Sequence, residues 1–343
     1  MELQEVRAVL AGCGSISRVW LEAATQMDGV HLVGLVDLVP GAAERRAEEF
    51  GLSGATTGTD LEQALVRTQP DIVFNCTPPE AHLPTALLAL DAGCHVLGEK
   101  PMADSMEAAR SMLAAKRRSG RLCAVIQNRR YDPEIRRLRR LLDSGRLGEI
   151  TTAHSDFFIG AHFGGFRDSM PHVLLLDMAI HTFDAARFIM RADPVSVYCM
   201  EWNPVGSWYE RDASAVAVFE MTGGRVYTYR GSWAAEGLHT SWEADWRLIG
   251  SNGSVRWDGG EGFAVQTVVS TGGFHSELRD EPMPDPSPTD KHGGHAGVIR
   301  EFIECVRSGQ EPETSVEDNI RSLAMVFGAI ESAAAGKEVG VRW

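Results

Sequence analysis

Short apolar segments alternate with helix-length segments through the first third of this 343-residue chain, and this alternation limits the possible folds more than any other feature. A strand–helix repeat of this kind favours parallel strands joined by right-handed crossovers. The predicted class is α/β, with a doubly wound Rossmann domain over residues 1–126. The predicted strands are 6–11, 31–36, 71–74, 94–97 and 122–126, and the predicted helices end near 26, 50, 90 and 119.

The pattern changes after residue 126, where strand-like segments follow one another with short turns between them. This order predicts a second domain, 127–343, of the α+β class, built on a large mixed or antiparallel sheet. Its expected roles are substrate binding and oligomerisation, and its last helices are expected to pack back on the first domain. The predicted strands are 195–202, 214–220, 225–233, 242–249 and 254–257, and the predicted helices are 133–142, 173–189, 294–308 and 316–335.

Charge and cysteine content exclude several classes of partner. The chain carries 33 basic and 47 acidic side chains, a net charge of −14, so nucleic acid and anionic membranes are not expected partners. Neither a signal peptide nor an apolar segment of membrane-spanning length is apparent, which predicts a cytoplasmic protein. The six cysteines are scattered without CxxC pairs, so reduced thiols are expected and no metal site is predicted.

A glycine-rich turn follows the first predicted strand. Gly12 suits a tight turn, and Gly14 lets main-chain amides approach a pyrophosphate, with Ser15 and Ile16 at the opening of the next helix. Ser17 stands where a third glycine is usual; it is small enough for close helix packing. The turn predicts a dinucleotide site.

Asp37 ends the second predicted strand, at the spacing of an acid that binds the ribose hydroxyls. Its carboxylate would repel a 2′-phosphate, so NAD is favoured over NADP. Arg45 and Arg46 lie one helix later and limit the strength of this preference. The alternative is that Asp37 only caps the following turn.

Two further segments follow the ends of predicted strands. Thr77 and Pro78 form a stiff turn in which Thr77 can hydrogen-bond the cofactor, and His82 more simply caps or packs the next helix. Glu99 and Lys100, followed by Pro101, place a charged pair at the carboxyl edge of the sheet, where α/β folds bind ligands. The alternative for this second segment is an ordinary exposed turn.

These motifs, in this order, resemble the Gfo/Idh/MocA oxidoreductases, named for glucose–fructose oxidoreductase, inositol dehydrogenase and a rhizopine-catabolism protein. The segment 176–184 also resembles the DxGxHxxD motif of that family, and the resemblance extends over essentially the whole chain. It implies cofactor contacts by Thr77, Pro78, His82, Glu99 and Lys100.

The resemblance implies that Lys100 hydrogen-bonds the reacting oxygen beside the nicotinamide, and that Asp177 and His181 face that oxygen from the second domain. The spacing gives independent support, because positions i and i+4 share a helix face. Histidine, with an ordinary pKa of about 6.5, suits proton transfer at neutral pH. The alternative is a capping aspartate and a core histidine.

The sequence departs from the family pattern before Asp177. His172 stands in a segment that usually contains glycines, and Ala179 replaces a common glycine, so the pocket and its substrate are expected to differ. His172 and Arg167 are candidate substrate contacts, although a structural ion pair explains Arg167 equally well. Tyr131, at a position where the family has an aromatic residue, completes the candidate substrate set.

The predicted activity is hydride transfer between NAD and a hydroxyl or carbonyl carbon of a sugar, inositol or related polyol. A glycosidase or lyase that oxidises its substrate transiently would use the same residues. A non-catalytic dinucleotide sensor is the third possibility. The family's habit and a sheet face rich in tryptophan and valine predict a homodimer or homotetramer.

Overall fold

The computed structural model describes residues 5–343, which form two compact units. The first contains the chain up to Tyr131 together with His292–Ile320, and the second contains Asp132–Lys291 and Arg321–Trp343. Residues 127–131 and 292–320, which were expected in the second domain, lie in the first unit.

The first unit contains a six-stranded sheet in the order β3-β2-β1-β4-β5-β6, with every adjacent pair parallel. This order confirms the predicted doubly wound fold, whose switch point lies between β1 and β4. Its elements are β1 (Val6–Ala11), α1 (Ser17–Ala24), β2 (Val30–Val36), α2 (Ala42–Glu49), β3 (Thr56–Gly58), α3 (Leu61–Thr68), β4 (Ile72–Asn75), α4 (Pro79–Asp91), β5 (His95–Gly98), α5 (Met106–Ser119), β6 (Cys123–Val125) and a short 3-10 helix (Asn128–Tyr131).

Strand β3 and helix α3 were not predicted from the sequence. The strand has three residues, too few for a recognisable apolar pattern. The helix begins after Asp60, whose side chain accepts a hydrogen bond from the Gln63 amide, as an N-cap residue does.

A late segment of the chain completes the core of the first unit. Helix α9 (Gly294–Ser308) contacts α1, and Val298, Ile299 and Phe302 are buried in one apolar cluster with Trp20. Burial of such a side chain contributes about 1.5–3 kcal/mol. The first unit therefore depends on residues far apart in the sequence.

The second unit contains a nine-stranded mixed sheet in the order β14-β13-β12-β11-β7-β10-β9-β8-β15. Its elements are α6 (Pro133–Asp143), β7 (Ile150–Phe158), α7 (Phe166–Ser169), a π-helical segment (Leu174–Ala179), α8 (Ile180–Met190), β8 (Pro194–Trp202), β9 (Ser214–Met221), β10 (Arg225–Ser232), β11 (Asp245–Gly250), β12 (Gly253–Trp257), β13 (Phe263–Ser270), β14 (Glu277–Asp280) and β15 (Val339–Gly340). Helix α10 (Val316–Ala335) begins in the first unit and ends in the second.

Strand β7, which the sequence analysis missed, lies in the middle of this sheet, parallel to β10 and antiparallel to β11. Its alternate side chains Ala153, Ser155 and Phe157 are buried, while threonine, histidine and aspartate lie between them. This mixed composition hides the alternation that marks a strand.

The predicted helix 173–189 is present but not uniform. Its first part is the π-helical segment, which contains Asp177, and its second part is α8, which contains His181. Phe183 of α8 packs edge-on against Phe219 and Tyr229 of the sheet, with ring centroids 5.0 and 5.2 Å apart. One face of the sheet therefore supports the segment that carries Asp177 and His181.

Candidate active site

The turn after β1 approaches the end of β4 so closely that it excludes any side chain. Gly12 has a φ of +94°, and a Cβ built there would lie 2.5 Å from both the carbonyl carbon and the oxygen of Cys76. At Gly14, by contrast, no described atom beyond its chain neighbours lies within 4 Å of the Cβ position. The first glycine is required by the fold, and the second leaves space above the turn.

Helix α1 begins immediately after this turn. The buried Ser17 donates its hydroxyl hydrogen to the Gly14 carbonyl at 2.6 Å, while Ser15 is exposed and Ile16 half-buried. Within the described chain no side chain caps the start of α1, and its first turn has no acidic residue. The positive end of a helix dipole favours an anion where no acidic side chain already compensates it. The turn therefore fits a pyrophosphate.

The Asp37 carboxylate holds two main-chain amides. Its Oδ2 accepts from Cys13 N at 2.7 Å, and its Oδ1 accepts from Val39 N at 2.8 Å. Asp37 therefore caps the turn that follows it, as the alternative interpretation held. Each of its carboxylate oxygens also retains a lone pair that a ribose hydroxyl can use. Arg46 is buried and donates to the carbonyls of Cys13 and Gly14.

A buried network connects the ends of β4 and β5. Asn75 donates to the His82 carbonyl at 3.0 Å, and its Oδ1 accepts from the Thr77 hydroxyl at 2.6 Å. The His82 ring lies between the carbonyls of Thr77 and Pro101, at 2.8 and 2.7 Å, and is only 2% exposed. Burial lowers the pKa of His82, against the opposing effect of the two carbonyls. His82 therefore connects the loop after β4 to the loop after β5. Pro78 is the N-cap residue of α4.

Glu99 and Lys100 follow β5, next to this network. Glu99 is buried and accepts from Trp20 Nε1 at 2.7 Å and from the Lys100 amide at 3.2 Å. The ordinary-turn alternative is therefore wrong for Glu99, because the acid is an anchored part of the core. Because Glu99 is held in place and accepts from the Lys100 amide, the main chain at Lys100 is also fixed.

His295 is a member of this cluster that the sequence analysis missed. Its Nε2 lies 3.8 Å from Glu99 Oε1, and its Nδ1 lies 3.2 Å from the Asn128 side-chain amide. Burial lowers its pKa, Lys100 acts in the same direction and Glu99 opposes both. A histidine almost 200 positions after Lys100 in the sequence gives no local signal of this neighbourhood.

In the second unit, Arg167 and Asp177 form an ion pair. Arg167 Nε donates to Asp177 Oδ2 at 2.6 Å, and the Asp177 residue is 8% exposed. The guanidinium carbon lies 5.2 Å from the Phe163 ring centroid and 4.7 Å from that of Phe166, which fixes its plane. Arg167 therefore forms a structural ion pair, as the alternative interpretation held, and its partner Asp177 is a candidate catalytic residue.

His181 and Asp184 lie on α8, and both are buried. Asp184 Oδ1 accepts from the Ser322 hydroxyl at 2.6 Å and lies 3.9 Å from Arg187. This pairing gives Asp184 an anchoring role. It fixes the helix that carries His181.

His172 lies immediately before the π-helical segment and contacts the sheet. Its Nδ1 lies 2.7 Å from Oε2 of the buried Glu201 on β8. The hydrogen bond to Glu201 raises the pKa of His172, with Asp212 acting in the same direction and burial opposing it.

Tyr131 is fully buried in the first unit. Its hydroxyl donates to the buried Glu301 of α9. This position indicates a structural role, so Tyr131 is not retained among the proposed substrate contacts. Four of the eight tryptophans are also buried: Trp20, Trp233, Trp246 and Trp257.

Two family models match the chain. Residues 6–127 match the model described as "Oxidoreductase family, NAD-binding Rossmann fold", and residues 135–256 match the GFO/IDH/MocA C-terminal domain. The chain belongs to the Gfo/Idh/MocA oxidoreductase family. The enzyme is therefore an oxidoreductase with an NAD-binding Rossmann domain, as predicted.

Two known relatives match more than half of this chain. The chain is 26% identical to inositol 2-dehydrogenase of Rhizobium meliloti (strain 1021), and the match covers 98% of this chain and 99% of the relative. It is 31% identical to D-glucoside 3-dehydrogenase of Escherichia coli (strain K12), over 60% of each chain. An oxidoreductase from Agrobacterium radiobacter, solved with NAD+, L-tartaric acid and magnesium, has the same fold, with a TM-score of 0.85, 21% identity and 98% coverage of both chains.

Residues 5–343 contain no helix with the length and apolarity needed to cross a bilayer. In the same range, no three His, Cys, Asp or Glu side chains form a cluster that could hold a metal ion.

Proposed function

We propose that this enzyme transfers hydride between NAD and a CH–OH carbon of a sugar, inositol or related polyol. The observation that carries the proposal is the anchored Glu99–Lys100 pair at the end of β5, beside the switch point where doubly wound sheets bind ligands. The names of the two relatives, an inositol 2-dehydrogenase and a D-glucoside 3-dehydrogenase, support this substrate class.

The proposed roles divide the reaction among three side chains. In the oxidative direction the carbinol C–H bond breaks and its electron pair leaves as hydride. His181 accepts the hydroxyl proton, and Lys100 hydrogen-bonds the oxygen while negative charge grows on it. Asp177 orients His181 or the substrate, and Arg167 and His172 contribute to the substrate side. NAD, when bound, supplies the hydride acceptor.

The fit of the first unit supports NAD over NADP. Asp37 would place its charge against a 2′-phosphate, and Arg46 is engaged by the carbonyls of the glycine turn and by Glu49 at 2.8 Å. Gly12, Gly14, Ser15 and Ile16 would form the turn that holds the pyrophosphate.

We also propose a homodimer or homotetramer in the cytoplasm. The side chains of Tyr198, Met200 and Trp202 on β8, with Val218 on β9, leave an apolar surface exposed on the outer face of the sheet. All six cysteines are free thiols, in accord with a reducing compartment. Met200→Glu should lower the mass measured by light scattering if this face pairs two copies.

The first test is a panel of inositols, aldoses, sugar acids and glycosides, mixed with the enzyme and either NAD or NADP while reduced nicotinamide absorbance is followed. We expect a signal with NAD and one group of polyols or sugars, which Lys100→Ala abolishes. Near-normal turnover by Lys100→Ala would refute the assigned role of this lysine. Consumption of glycosides without net reduced cofactor would instead identify transient oxidation, and tight NAD binding without any turnover would indicate a sensor.

A further inference from the structure

His172 has an unusual main-chain conformation at the start of the segment that carries Asp177. Its φ is +52°, in the left-handed region that residues with a Cβ rarely adopt. Such a conformation persists only where surrounding contacts hold it. His172 is therefore fixed by more than its own backbone preference.

The contact that holds it is the pair with Glu201. The Glu201 side chain is 3% exposed and accepts from His172 Nδ1 at 2.7 Å through Oε2. Its other oxygen, Oε1, is buried with no hydrogen-bond partner in residues 5–343. A buried carboxylate with one partner depends on the charge of that partner, because an uncompensated buried charge is costly. The charged groups that face the imidazole are Glu201 and, farther away, Asp212.

The main chain of His172 connects this pair to the π-helical segment. The His172 carbonyl accepts from the Leu176 amide at 2.9 Å, which starts the first turn. Asp177 is the next residue, and it lies in a wider turn than an α-helix would provide. A rotation of His172 would therefore turn Asp177 away from its partner Arg167.

We propose that His172 is a positioning residue whose imidazolium, paired with Glu201, holds the turn that presents Asp177 to its partner and to substrate. Loss of the His172 proton weakens the pair and releases the turn. The catalytic meaning of this step rests on the function proposed above for Asp177, whereas the coupling itself does not.

The activity test uses the substrate with the strongest NAD reduction in the panel. The variant His172→Gly removes the imidazole and relieves the strain of a positive φ, but it also leaves the Glu201 carboxylate without its partner. Its thermal unfolding is therefore measured first, and activity is compared at a temperature where the variant is folded. We expect kcat to fall about tenfold with an unchanged KM for NAD, because misplacement of a reacting group slows catalysis without weakening cofactor binding. In the wild type we expect kcat to decline as rising pH removes the His172 proton, and this decline should be absent in His172→Gly.

Glu201→Gln is the matched variant, because it retains a hydrogen-bonding oxygen and removes the charge. In this variant the decline of kcat should move to lower pH, because the raised pKa of His172 returns towards its ordinary value. Wild-type kcat and pH profile in His172→Gly would overturn the proposal.

A second measurement needs no substrate. NMR of histidine- and arginine-labelled enzyme follows the His172 ring and the Arg167 Nε–H group through a pH titration. We expect both signals to move with one midpoint, and the Arg167 signal to stop responding in His172→Gly. An Arg167 signal that ignores the His172 titration would overturn the coupling. Coupling without turnover would refute the proposed function alone, and turnover without coupling would refute this inference alone.

Discussion

In the first unit, main-chain contacts shape the candidate cofactor site, whereas in the second unit charged side chains hold the candidate catalytic segment. Gly12 is fixed by the carbonyl of Cys76, and Asp37 binds two amides. Asp177 is held by Arg167, and the turn before it by His172 with Glu201. The candidate cofactor site is therefore defined mainly by backbone shape, and the candidate catalytic segment mainly by ion pairs.

This comparison predicts different failures in the two units. Main-chain geometry cannot be altered without strain, so a change that disturbs it should lower stability as well as NAD binding. Side-chain pairs can be broken without unfolding the unit, so changes there should affect turnover first. The predictions below test that division in order of expected effect.

The largest effect is expected at the two proposed reacting groups. Lys100→Ala should lower kcat about 10²–10³-fold through loss of charge stabilisation, and His181→Ala about 10²–10⁴-fold through loss of the proton acceptor. NAD affinity, measured by calorimetry, should change less than about threefold in both, because the roles proposed for both groups act mainly on the reacting oxygen of the substrate. Lys337→Ala, at an exposed lysine, is the control. A loss of NAD affinity that matches the loss of kcat would contradict the assignment.

The second prediction separates folding from binding in the glycine turn. Gly12→Ala should lower the free energy of unfolding by about 3 kcal/mol, because its methyl group would collide with Cys76 at a positive φ. Gly14→Ala should change it by less than about 0.5 kcal/mol, since its Cβ meets open space, but should weaken NAD binding. Chemical denaturation and calorimetry measure the two quantities. Equal stability of both variants would show that the close approach at Gly12 is not needed.

The third prediction concerns the ion pair of the second unit. Arg167→Lys retains the charge but loses the Nε donor and the planar contact with Phe163 and Phe166, so kcat/KM for substrate should fall about tenfold. NAD affinity and thermal stability should remain close to the wild type. Arg211→Lys, at an exposed position in the same unit, provides the control. Unfolding of Arg167→Lys at room temperature would contradict the proposal that ion pairs of the second unit can be broken without unfolding it.

The last prediction is a pH dependence of stability in the first unit. His95 Nδ1 accepts from the Leu122 amide at 2.9 Å, and burial, assisted by Arg121, lowers its pKa to about 4. The unfolded chain binds a proton near pH 6.5, so it carries more protons than the folded chain between pH 6.5 and 4. Stability should therefore fall as the pH drops through this range, by about 2 kcal/mol after solvent screening of the partly exposed ring is allowed for.

Denaturant unfolding at pH 7 and pH 4.5 measures this loss. In His95→Asn the amide oxygen can still accept from Leu122 and does not titrate, so this part of the pH dependence should vanish. An unchanged acid sensitivity in that variant would assign the effect to other groups.

The sequence predicted what depends on local pattern. Helices α9 and α10 were predicted with the boundaries that the structure has, because their apolar residues recur at helical spacing. The glycine turn and Asp37 were recognised from spacing alone, because a turn between neighbouring parallel strands leaves few choices of residue.

What escaped prediction depends on contacts between distant residues or on turns without a sequence signal. The pair of Glu99 with His295 joins positions in separate parts of the chain, and the pair of His172 with Glu201 joins a helix start to a strand. The π-helical segment lies within a sequence that reads as an ordinary helix, since one widened turn barely alters the apolar periodicity. Strand β7 was missed because polar side chains interrupt its pattern.

The first unit is assembled from two stretches of chain separated by 160 residues of the second unit. During synthesis, the ribosome releases the sheet of the first unit long before it makes Val298, Ile299 and Phe302, which complete the same apolar cluster as Trp20. Part of the apolar core of the nascent first unit therefore remains exposed until α9 has left the ribosome. A fragment that stops at residue 131 should be prone to aggregation and to chaperone capture, so biosynthesis of this NAD-binding domain depends on completion of nearly the whole chain.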